Sequence, residues 1–195
     1  MVVGIDEAGR GPVLGPMVVA AVQVEEKQLP MIEDVKESKQ LPPAVRWRVL
    51  AEKWQYVNRA ALAIIYPSSI DAYTRKKQLN HLEYKVFCLL ANMFADKVIA
   101  DFPENLGQQG HILFEQGADA KYPVVALASI LAKVVRDYLI HLYHYAYGDF
   151  GSGYPTDPKT RQFLDQLLDL DLPIIRKSWK TVKRLKKSKR LEDFL

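Results

Sequence analysis

The segment Gly4–Pro16 constrains this chain more than any other part of it. It reads Gly-Ile-Asp-Glu-Ala-Gly-Arg-Gly-Pro-Val-Leu-Gly-Pro and follows the apolar pair Val2-Val3. A short buried strand therefore ends in two adjacent carboxylates, Asp6 and Glu7, and a glycine-rich turn follows that lets the main chain approach a ligand closely. A charged hairpin turn alone needs neither four glycines nor two prolines in so short a stretch. We therefore interpret the segment as a binding site.

The residue types in this segment indicate metal-dependent chemistry on a polyanion. Carboxylate oxygens are the ligands that hard divalent cations prefer. Arg10 lies between Gly9 and Gly11 and offers a planar cation that suits phosphate. Carboxylates and arginine side by side favour metal-dependent phosphodiester chemistry.

Further carboxylates are needed from other parts of the chain, because a two-metal site takes about four of them. Asp101 ends the apolar run 97–100, where a buried carboxylate is costly unless it faces a ligand or a charge partner. Asp119 precedes a long apolar helix, and Asp137 lies further along that helix. Both aspartates are candidates for the fourth position.

Apolar periodicity predicts a mixed succession of strands and helices. The predicted strands lie at 2–5, 16–24, within 55–66, at 97–101 and at 111–115. The predicted helices lie at 42–54, in a short stretch after residue 68, and at 80–94, 123–145, 158–169 and 178–187. The first two strands are separated by a short turn, so we expect them to be antiparallel neighbours. A mixed sheet covered by helices follows.

Three motifs together resemble the type 2 ribonucleases H (ribonuclease HII). The segment from Gly4 to Pro16 resembles their N-terminal signature. Residues 127–137 resemble the family's Ala-Ala-Ser-Ile-x-Ala-Lys-Val-x-Arg-Asp helix, with Leu127 in place of the first of the paired alanines. Residues 151–158 resemble the Gly-Ser-Gly-Tyr-Pro-x-Asp-Pro loop of archaeal and eukaryotic-like members. The resemblance covers about residues 2–185.

The resemblance implies an α/β fold with a ribonuclease H-like mixed five-stranded sheet, flanked by helices and followed by a C-terminal helical segment. It implies an endonuclease that hydrolyses the RNA strand of RNA–DNA hybrids and nicks duplex DNA at embedded ribonucleotides. Two divalent ions, Mg²⁺ or Mn²⁺, would activate water and leave 5′-phosphate and 3′-hydroxyl ends. The implied catalytic metal ligands are Asp6, Glu7, Asp101 and, in preference to Asp137, Asp119.

The resemblance also implies how the substrate is bound. The Gly-Arg-Gly turn would read the 2′-hydroxyl, the group that separates RNA from DNA, and Tyr154 would pack on the next deoxyribose. A tyrosine that packs locally in its turn is the alternative for Tyr154. Residues 37–41 depart from the family's Asp-Ser-Lys-Lys-Leu at Glu37 and Gln40. The predicted substrate-binding residues are Gly9, Arg10, Gly11, Ser38, Lys39, Tyr154, Lys177 and Lys180.

Positive charge is concentrated near the end of the sequence. Nine of the 27 lysines and arginines lie in residues 176–190 without a single acid, although the whole chain has a net charge of only +4. Such a segment suits a nucleic acid, and it also suits a helix end that is simply solvated. We predict a catalytic domain over residues 1–175 and a basic helical segment and tail over 176–195.

The last residues resemble, in degraded form, a peptide that binds a replication sliding clamp. Leu191, Phe194 and Leu195 follow Ser188 at the spacing of that peptide. Ser188 replaces the usual glutamine, and Leu195 replaces one of the usual aromatic residues. A sliding clamp is therefore a predicted partner, and packing of these side chains on the enzyme's own surface is the alternative.

Other chemistries lack their motifs in this sequence. The single cysteine, Cys88, excludes an internal disulfide, and the four histidines lack zinc spacing. No nucleophile elbow or phosphate loop is present. No apolar run has membrane-spanning length and no signal-peptide pattern is present, so a cytoplasmic monomer is expected. Two alternatives stay open: another carboxylate–metal nuclease of this fold, such as a junction resolvase, and a non-catalytic hybrid-binding protein.

Overall fold

The computed structural model describes the main chain of residues 1–167 and 170–192, with the side chains of these residues except 36–40 and 189–192. Main-chain contacts divide the described chain into two compact units. The first unit comprises Met1–Ala8, Val18–Ile64 and Asn80–Asp137, and the second comprises Gly9–Met17, Ile65–Leu79 and the chain from Tyr138 onward. The predicted boundary between residues 175 and 176 falls inside the second unit and stays a prediction.

The secondary structure is mixed α/β, which confirms the predicted fold class. The strands are β1 (Val2–Ala8), β2 (Met17–Val24), β3 (Val57–Ile65), β4 (Lys97–Asp101), β5 (Gly107–Gln109) and β6 (Ile112–Glu115). The helices are α1 (Pro43–Lys53), α2 (Pro67–Arg75), α3 (Leu79–Ala91), α4 (Ala118–Lys121), α5 (Pro123–Tyr147), α6 (Pro158–Leu167) and α7 (Lys180–Glu192). Two 3-10 segments cover Glu26–Gln40 and Trp54–Tyr56. No described helix is long and apolar enough to span a membrane.

The strands form one sheet in the order β3-β2-β1-β4-β6-β5. β1 pairs antiparallel with β2, as predicted, and parallel with β4. β4 is also parallel to β6. Because parallel strands end at the same edge of a sheet, Asp6 and Asp101 lie side by side, each one residue beyond the paired residues Ile5 and Ala100.

The described sheet has six strands, so the prediction of five was wrong by one. The additional strand is β5, a Gly-Gln-Gln stretch whose three residues are all exposed. It pairs antiparallel with β6 at the edge of the sheet. A strand without apolar alternation leaves no periodic signal in the sequence, and β5 forms through main-chain pairing with β6 instead.

Helix α5 packs on β1 at a point where β1 has no side chain. A Cβ atom on Gly4 would lie 2.4 Å from the main-chain carbon and oxygen of Val124, in the first turn of α5. Only glycine permits this approach of one backbone to another. The helix is buried continuously from Pro123 to Ala132, and it brings Ser129 within hydrogen-bonding reach of Asp6.

The second unit has an apolar core of its own. Its buried members are Val13, Leu14, Ile140, Phe150, Phe163, Leu164, Ile174, Ile175 and Val182. Leu14 forms an isolated antiparallel bridge with Ile175. A Cβ atom on Gly15 would lie 2.5 Å from Cδ1 of Ile140. Residues of the turn that follows β1 therefore pack against side chains from 140–164 and from 174–182.

Candidate active site

Three of the four predicted metal ligands converge in the first unit. One carboxylate oxygen from each of Asp6, Asp101 and Asp119 lies within 4.8 Å of the others. Asp6 and Asp101 come from the ends of the parallel strands β1 and β4, and Asp119 lies in α4, the single turn that follows β6. The sheet edge thus brings Asp6 together with two acids that follow it by 95 and 113 residues in the sequence.

The turn that carries Asp119 is tied to the strand that carries Asp101. Gly117 has a φ of 71°, in the left-handed region that glycine adopts without strain. Its N–H donates a hydrogen bond of 2.8 Å to Oδ1 of Asp101. This contact fixes the turn where its aspartate faces the other two carboxylates.

The electrostatic environment of the three carboxylates favours binding of a cation. Burial raises the pKa of Asp6 to about 7, and the charges of Asp101 and Asp119 add to this, although hydrogen bonds from Ser129 and from the Glu7 amide oppose it. Burial, together with the neighbouring Asp119, raises the pKa of Asp101 to about 6. Clustered carboxylate oxygens of this kind, two of them with raised pKa values, fit a hard divalent metal ion.

Glu7 does not join this cluster among the described residues. The side chain of Glu7 is half-buried near the end of β1. The main-chain N–H of Glu7 donates to Oδ1 of Asp6 at 2.7 Å and helps to orient that carboxylate. The role of the Glu7 carboxylate as a metal ligand stays a prediction.

Asp137 is engaged elsewhere in the first unit. Its carboxylate forms an ion pair with the guanidinium of Arg46 in α1, a side chain that is only 15% exposed. This partner explains why an acid occurs on the long helix without facing the cluster. Of the two candidates for the fourth position, the structure brings Asp119 and not Asp137 to the other acids.

Two polar side chains of α5 support Asp6, an arrangement that sequence reasoning did not predict. Ser129 is buried and forms a hydrogen bond with Asp6. Nζ of Lys133 donates to Oγ of Ser129 at 2.8 Å. The two residues are four apart on α5 and therefore share one face. Their signal was available, because polar residues at this spacing inside an otherwise apolar helix need a partner.

The second unit contains the Gly-Arg-Gly turn and Tyr154. Gly9 has a φ of 86°, Arg10 is half-buried and Gly11 is exposed. A Cβ atom on Gly11 would lie 3.6 Å from Cε1 of Tyr154, so the tyrosine ring lies beside the turn. The residue is nevertheless 41% exposed. The ring therefore packs locally and also presents area to solvent.

The loop that carries Tyr154 is fixed by the carboxylate of Asp157. This carboxylate accepts hydrogen bonds from the main-chain N–H and the hydroxyl of Ser152, at 2.8 and 2.7 Å. The N–H of Lys159 donates to its other oxygen at 2.9 Å. The carbonyl of Gly153 then accepts a 2.8 Å hydrogen bond from the N–H of Val13. The Asp157 turn and the segment after the Gly-Arg-Gly motif are thus one hydrogen-bonded structure.

The turn itself is held by Arg176 and Trp179, which sequence reasoning did not single out. Arg176 is completely buried. Its three nitrogens donate to the carbonyls of Gly15 (2.9 Å), Arg10 (3.0 Å) and Gly9 (2.6 Å), and the indole N–H of Trp179 donates to the carbonyl of Gly11 (3.1 Å). Both residues lie in the basic segment 176–190. The basic composition of that segment predicts solvent-exposed side chains, and it therefore gives no indication that Arg176 is buried.

The remaining predicted substrate-binding residues differ in their contacts and exposure. Lys177 forms an ion pair of 2.6 Å with Asp171. Lys180 is exposed at the start of α7. The side chains of Ser38 and Lys39 lie outside the described residues. No contact with substrate is assigned to these four residues by the fold alone, so their roles stay predictions.

Comparison with known proteins decides the family. A sequence model of the family described as Ribonuclease HII matches residues 3–182. The chain belongs to the ribonuclease HII family. It is 40% identical to the ribonuclease HII of Pyrococcus furiosus over 205 residues, covering 95% of this chain and 91% of that protein.

Solved structures of ribonuclease HII proteins share the whole fold. The ribonuclease H2 from Pyrococcus horikoshii OT3 superimposes with a TM-score of 0.86 at 34% identity, over 97% of this chain and 98% of that one. The ribonuclease HII in a PCNA complex from Archaeoglobus fulgidus superimposes with a TM-score of 0.84 at 33% identity, over 95% and 96% of the two chains. The predicted archaeal-type family is confirmed.

Ribonuclease HII proteins are endoribonucleases that hydrolyse the RNA strand of RNA–DNA hybrids with a divalent metal, and this chain shares that activity. The acidic cluster agrees with the metal requirement. Neither a junction resolvase nor a non-catalytic hybrid-binding protein is favoured by these matches.

The stability of the metal-free ribonuclease HII is expected to fall as the pH rises from about 4 to 7. An unfolded aspartate releases its proton near 3.8, whereas Asp6 and Asp101 hold theirs to about 7 and 6 in the fold. The folded state binds more protons in this window, so raising the pH favours unfolding. Melting curves in EDTA will measure the effect, and Asp6→Asn should flatten it. A pH dependence that is unchanged in this variant would contradict the assignment.

Proposed function

We propose that this ribonuclease HII both hydrolyses the RNA strand of hybrids and nicks duplex DNA at single embedded ribonucleotides, with Asp6, Glu7, Asp101 and Asp119 as its metal-binding catalytic residues. The observation that carries this proposal is the convergence of three carboxylates with little solvent exposure at one edge of the sheet. The raised pKa values of Asp6 and Asp101 mean that ionising these two carboxylates side by side is costly without a cation. Binding a divalent metal relieves that cost.

The metal, Mg²⁺ or Mn²⁺, supplies an activated water and neutralises charge on the phosphate. The chain holds the ligands in position for this chemistry. Asp6 must be ionised to bind metal, and the hydrogen bond from Ser129 favours its charged form. The Gly117 N–H does the same for Asp101. No protein nucleophile is required, and the expected products carry 5′-phosphate and 3′-hydroxyl ends.

Recognition of the ribonucleotide is assigned to the second unit. Main-chain groups of Gly9, Arg10 and Gly11 would contact the 2′-hydroxyl, and Tyr154 would pack on the following deoxyribose. The exposed area of the tyrosine and its place beside Gly11 support this assignment. Ser38, Lys39, Lys177 and Lys180 are proposed phosphate contacts.

The test uses four substrates: an RNA–DNA hybrid, a DNA duplex of the same sequence with one ribonucleotide, the all-DNA duplex, and a four-way DNA junction. We expect cleavage of the first two only when Mg²⁺ or Mn²⁺ is added, and none in EDTA. End analysis should show 5′-phosphate and 3′-hydroxyl groups. Cleavage of the hybrid without nicking at the single ribonucleotide would contradict the second activity. Cleavage of a four-way junction instead would support a resolvase.

Removing the Tyr154 ring is expected to impair single-ribonucleotide substrates more than long hybrids. A long hybrid offers many registers for productive binding, whereas an isolated ribonucleotide offers one junction. Loss of one stacking contact corresponds to about 1–3 kcal/mol, or roughly five- to a hundredfold in kcat/KM on the junction substrate. Steady-state kinetics of Tyr154→Ala will measure both. Tyr145→Ala is the control, since Tyr145 is 79% exposed on α5. An equal loss of kcat/KM on both substrates would show that Tyr154 does not recognise the junction.

A sliding clamp is the proposed protein partner of this chain. One of the similar solved structures is a complex of PCNA with ribonuclease HII. In this chain the proposed contact residues are Leu191, Phe194 and Leu195. The side chain of Leu191 and residues 193–195 lie outside the described part, so the proposal is supported by the sequence pattern and by that related complex. Leu191 and Phe194 are three residues apart, and one helical turn would place them on one face.

A peptide covering residues 185–195 is expected to bind the clamp of the same organism. The apolar residues would enter a groove, and the preceding lysines would add salt-dependent attraction. Calorimetry with the peptide and with its Phe194→Ala variant will test this. The variant should bind at least about tenfold more weakly. A peptide that does not bind at high micromolar concentration, or that binds equally well without Phe194, would contradict the proposal.

A further inference from the structure

The buried guanidinium of Arg176 forms hydrogen bonds with main-chain carbonyls of the Gly-Arg-Gly turn. Its nitrogens donate to the carbonyls of Gly9 and Arg10 at one end of the turn and to that of Gly15 at the other. The main-chain N–H of Arg176 donates to the carbonyl of Val13 at 2.9 Å. One residue therefore ties both ends of a seven-residue segment together. A charge with no exposed surface is stable only when such hydrogen bonds satisfy it.

These contacts fix the direction of the peptide planes in the turn. A trans peptide unit is planar, and its C=O and N–H point in opposite directions. No described peptide bond is cis. Because Arg176 holds the carbonyls of Gly9 and Arg10, the next N–H groups, those of Arg10 and Gly11, are directed away from the guanidinium.

Trp179 completes the arrangement at the third carbonyl. Its indole N–H donates to the carbonyl of Gly11 at 3.1 Å, and its ring centroid lies 5.0 Å from the guanidinium carbon of Arg176. The peptide unit after Gly11 leads into Pro12, which has no N–H. The arrangement thus directs the N–H groups of Arg10 and Gly11 to the side opposite to Arg176.

We propose that Arg176 and Trp179 are positioning residues that set how strongly the enzyme prefers a ribonucleotide to a deoxyribonucleotide. The inference rests on the proposed reading of the 2′-hydroxyl by the turn. Glycine has the widest main-chain freedom, so the peptide planes at Gly9 and Gly11 rotate readily unless their carbonyls are held. A hydroxyl oxygen accepts hydrogen bonds, and donors that are already oriented bind it without an ordering cost.

Two variants separate positioning from general stability. Trp179→Phe removes the indole N–H and keeps an aromatic ring beside Arg176. Arg176→Lys keeps the charge but cannot reach three carbonyls at once, because an ammonium lacks the planar fork of a guanidinium. The matched controls are Trp54→Phe, at a half-exposed tryptophan of the first unit, and Arg161→Lys, at an exposed arginine that donates to the carbonyl of Thr156.

The first measurement is binding in EDTA, where no cleavage occurs. The dissociation constants for the single-ribonucleotide duplex and the all-DNA duplex give a preference ratio. We expect this ratio to fall about threefold in Trp179→Phe and about tenfold in Arg176→Lys, with all-DNA binding unchanged. Both controls should keep the ratio of the unaltered protein.

The second measurement is cleavage with Mg²⁺. We expect KM for the single-ribonucleotide duplex to rise by the same factors while kcat changes less. A lower kcat and melting temperature at unchanged KM would show a merely structural role and overturn the inference. An unaltered protein without any preference, or equal weakening on both duplexes, would also overturn it. If Arg176→Lys does not fold, the preference ratio of Trp179→Phe alone tests the inference. If the unaltered protein binds selectively but cleaves nothing, the proposed function fails and the inference stands.

Discussion

Asp101→Asn is expected to reduce cleavage by more than about 10³-fold while the protein stays folded. Asparagine keeps the oxygen that accepts the Gly117 N–H, so the turn bearing Asp119 stays attached. It removes one of three charges that lie within 4.8 Å of each other. Without metal the variant should therefore melt at a higher temperature than the unaltered protein. Single-turnover cleavage and melting curves in EDTA measure the two effects.

Asp137→Asn is the matched control for this prediction. It also replaces a half-buried aspartate of the first unit, but one that pairs with Arg46 and not with the cluster. We expect this variant to lose about 1–2 kcal/mol of stability and to retain its activity. An inactive Asp137→Asn together with an active Asp119→Asn would show that the fourth ligand is misassigned.

Gly4→Ala is expected to destabilise the protein by about 2–4 kcal/mol, a large effect for one added methyl group. The new Cβ would lie 2.4 Å from main-chain atoms of Val124, and backbone cannot move aside as a flexible side chain can. Relief requires α5 to shift from β1. Because Ser129 is carried by α5 and bonds to Asp6, activity should fall as well. Urea unfolding and cleavage assays on the same preparation measure both losses.

Gly107→Ala is the control for glycine replacement as such. Gly107 has a φ of 69°, but a Cβ there would meet nothing within 4 Å. Its replacement should cost only the backbone strain of about 1–2 kcal/mol and leave cleavage unchanged. If Gly4→Ala is no more damaging than this control, the close approach of α5 to β1 is not needed.

The sequence by itself identified the family and most helices and strands of this ribonuclease HII, and it predicted the three acids that the structure brings together. A turn that must approach a ligand closely allows few residue types at each position. The motif Asp-Glu-Ala-Gly-Arg-Gly-Pro can therefore be recognised in the sequence alone. Strong apolar periodicity located β1, β4 and the long helix α5 for the same reason: burial imposes a spacing along the chain.

Tertiary structure alone decided which residues act together. The motif resemblance preferred Asp119 to Asp137, but only the structure gives the physical difference. The Gly117 turn ties the segment of Asp119 to Asp101, and Asp137 pairs with Arg46. Arg176 reads as part of a basic surface segment, yet it is the most deeply enclosed cation of the second unit's described residues. The edge strand β5 carries no apolar pattern at all. For Asp137 and Arg176 the deciding contact joins residues that are distant in the chain, and composition shows a residue's chemistry but not its partner.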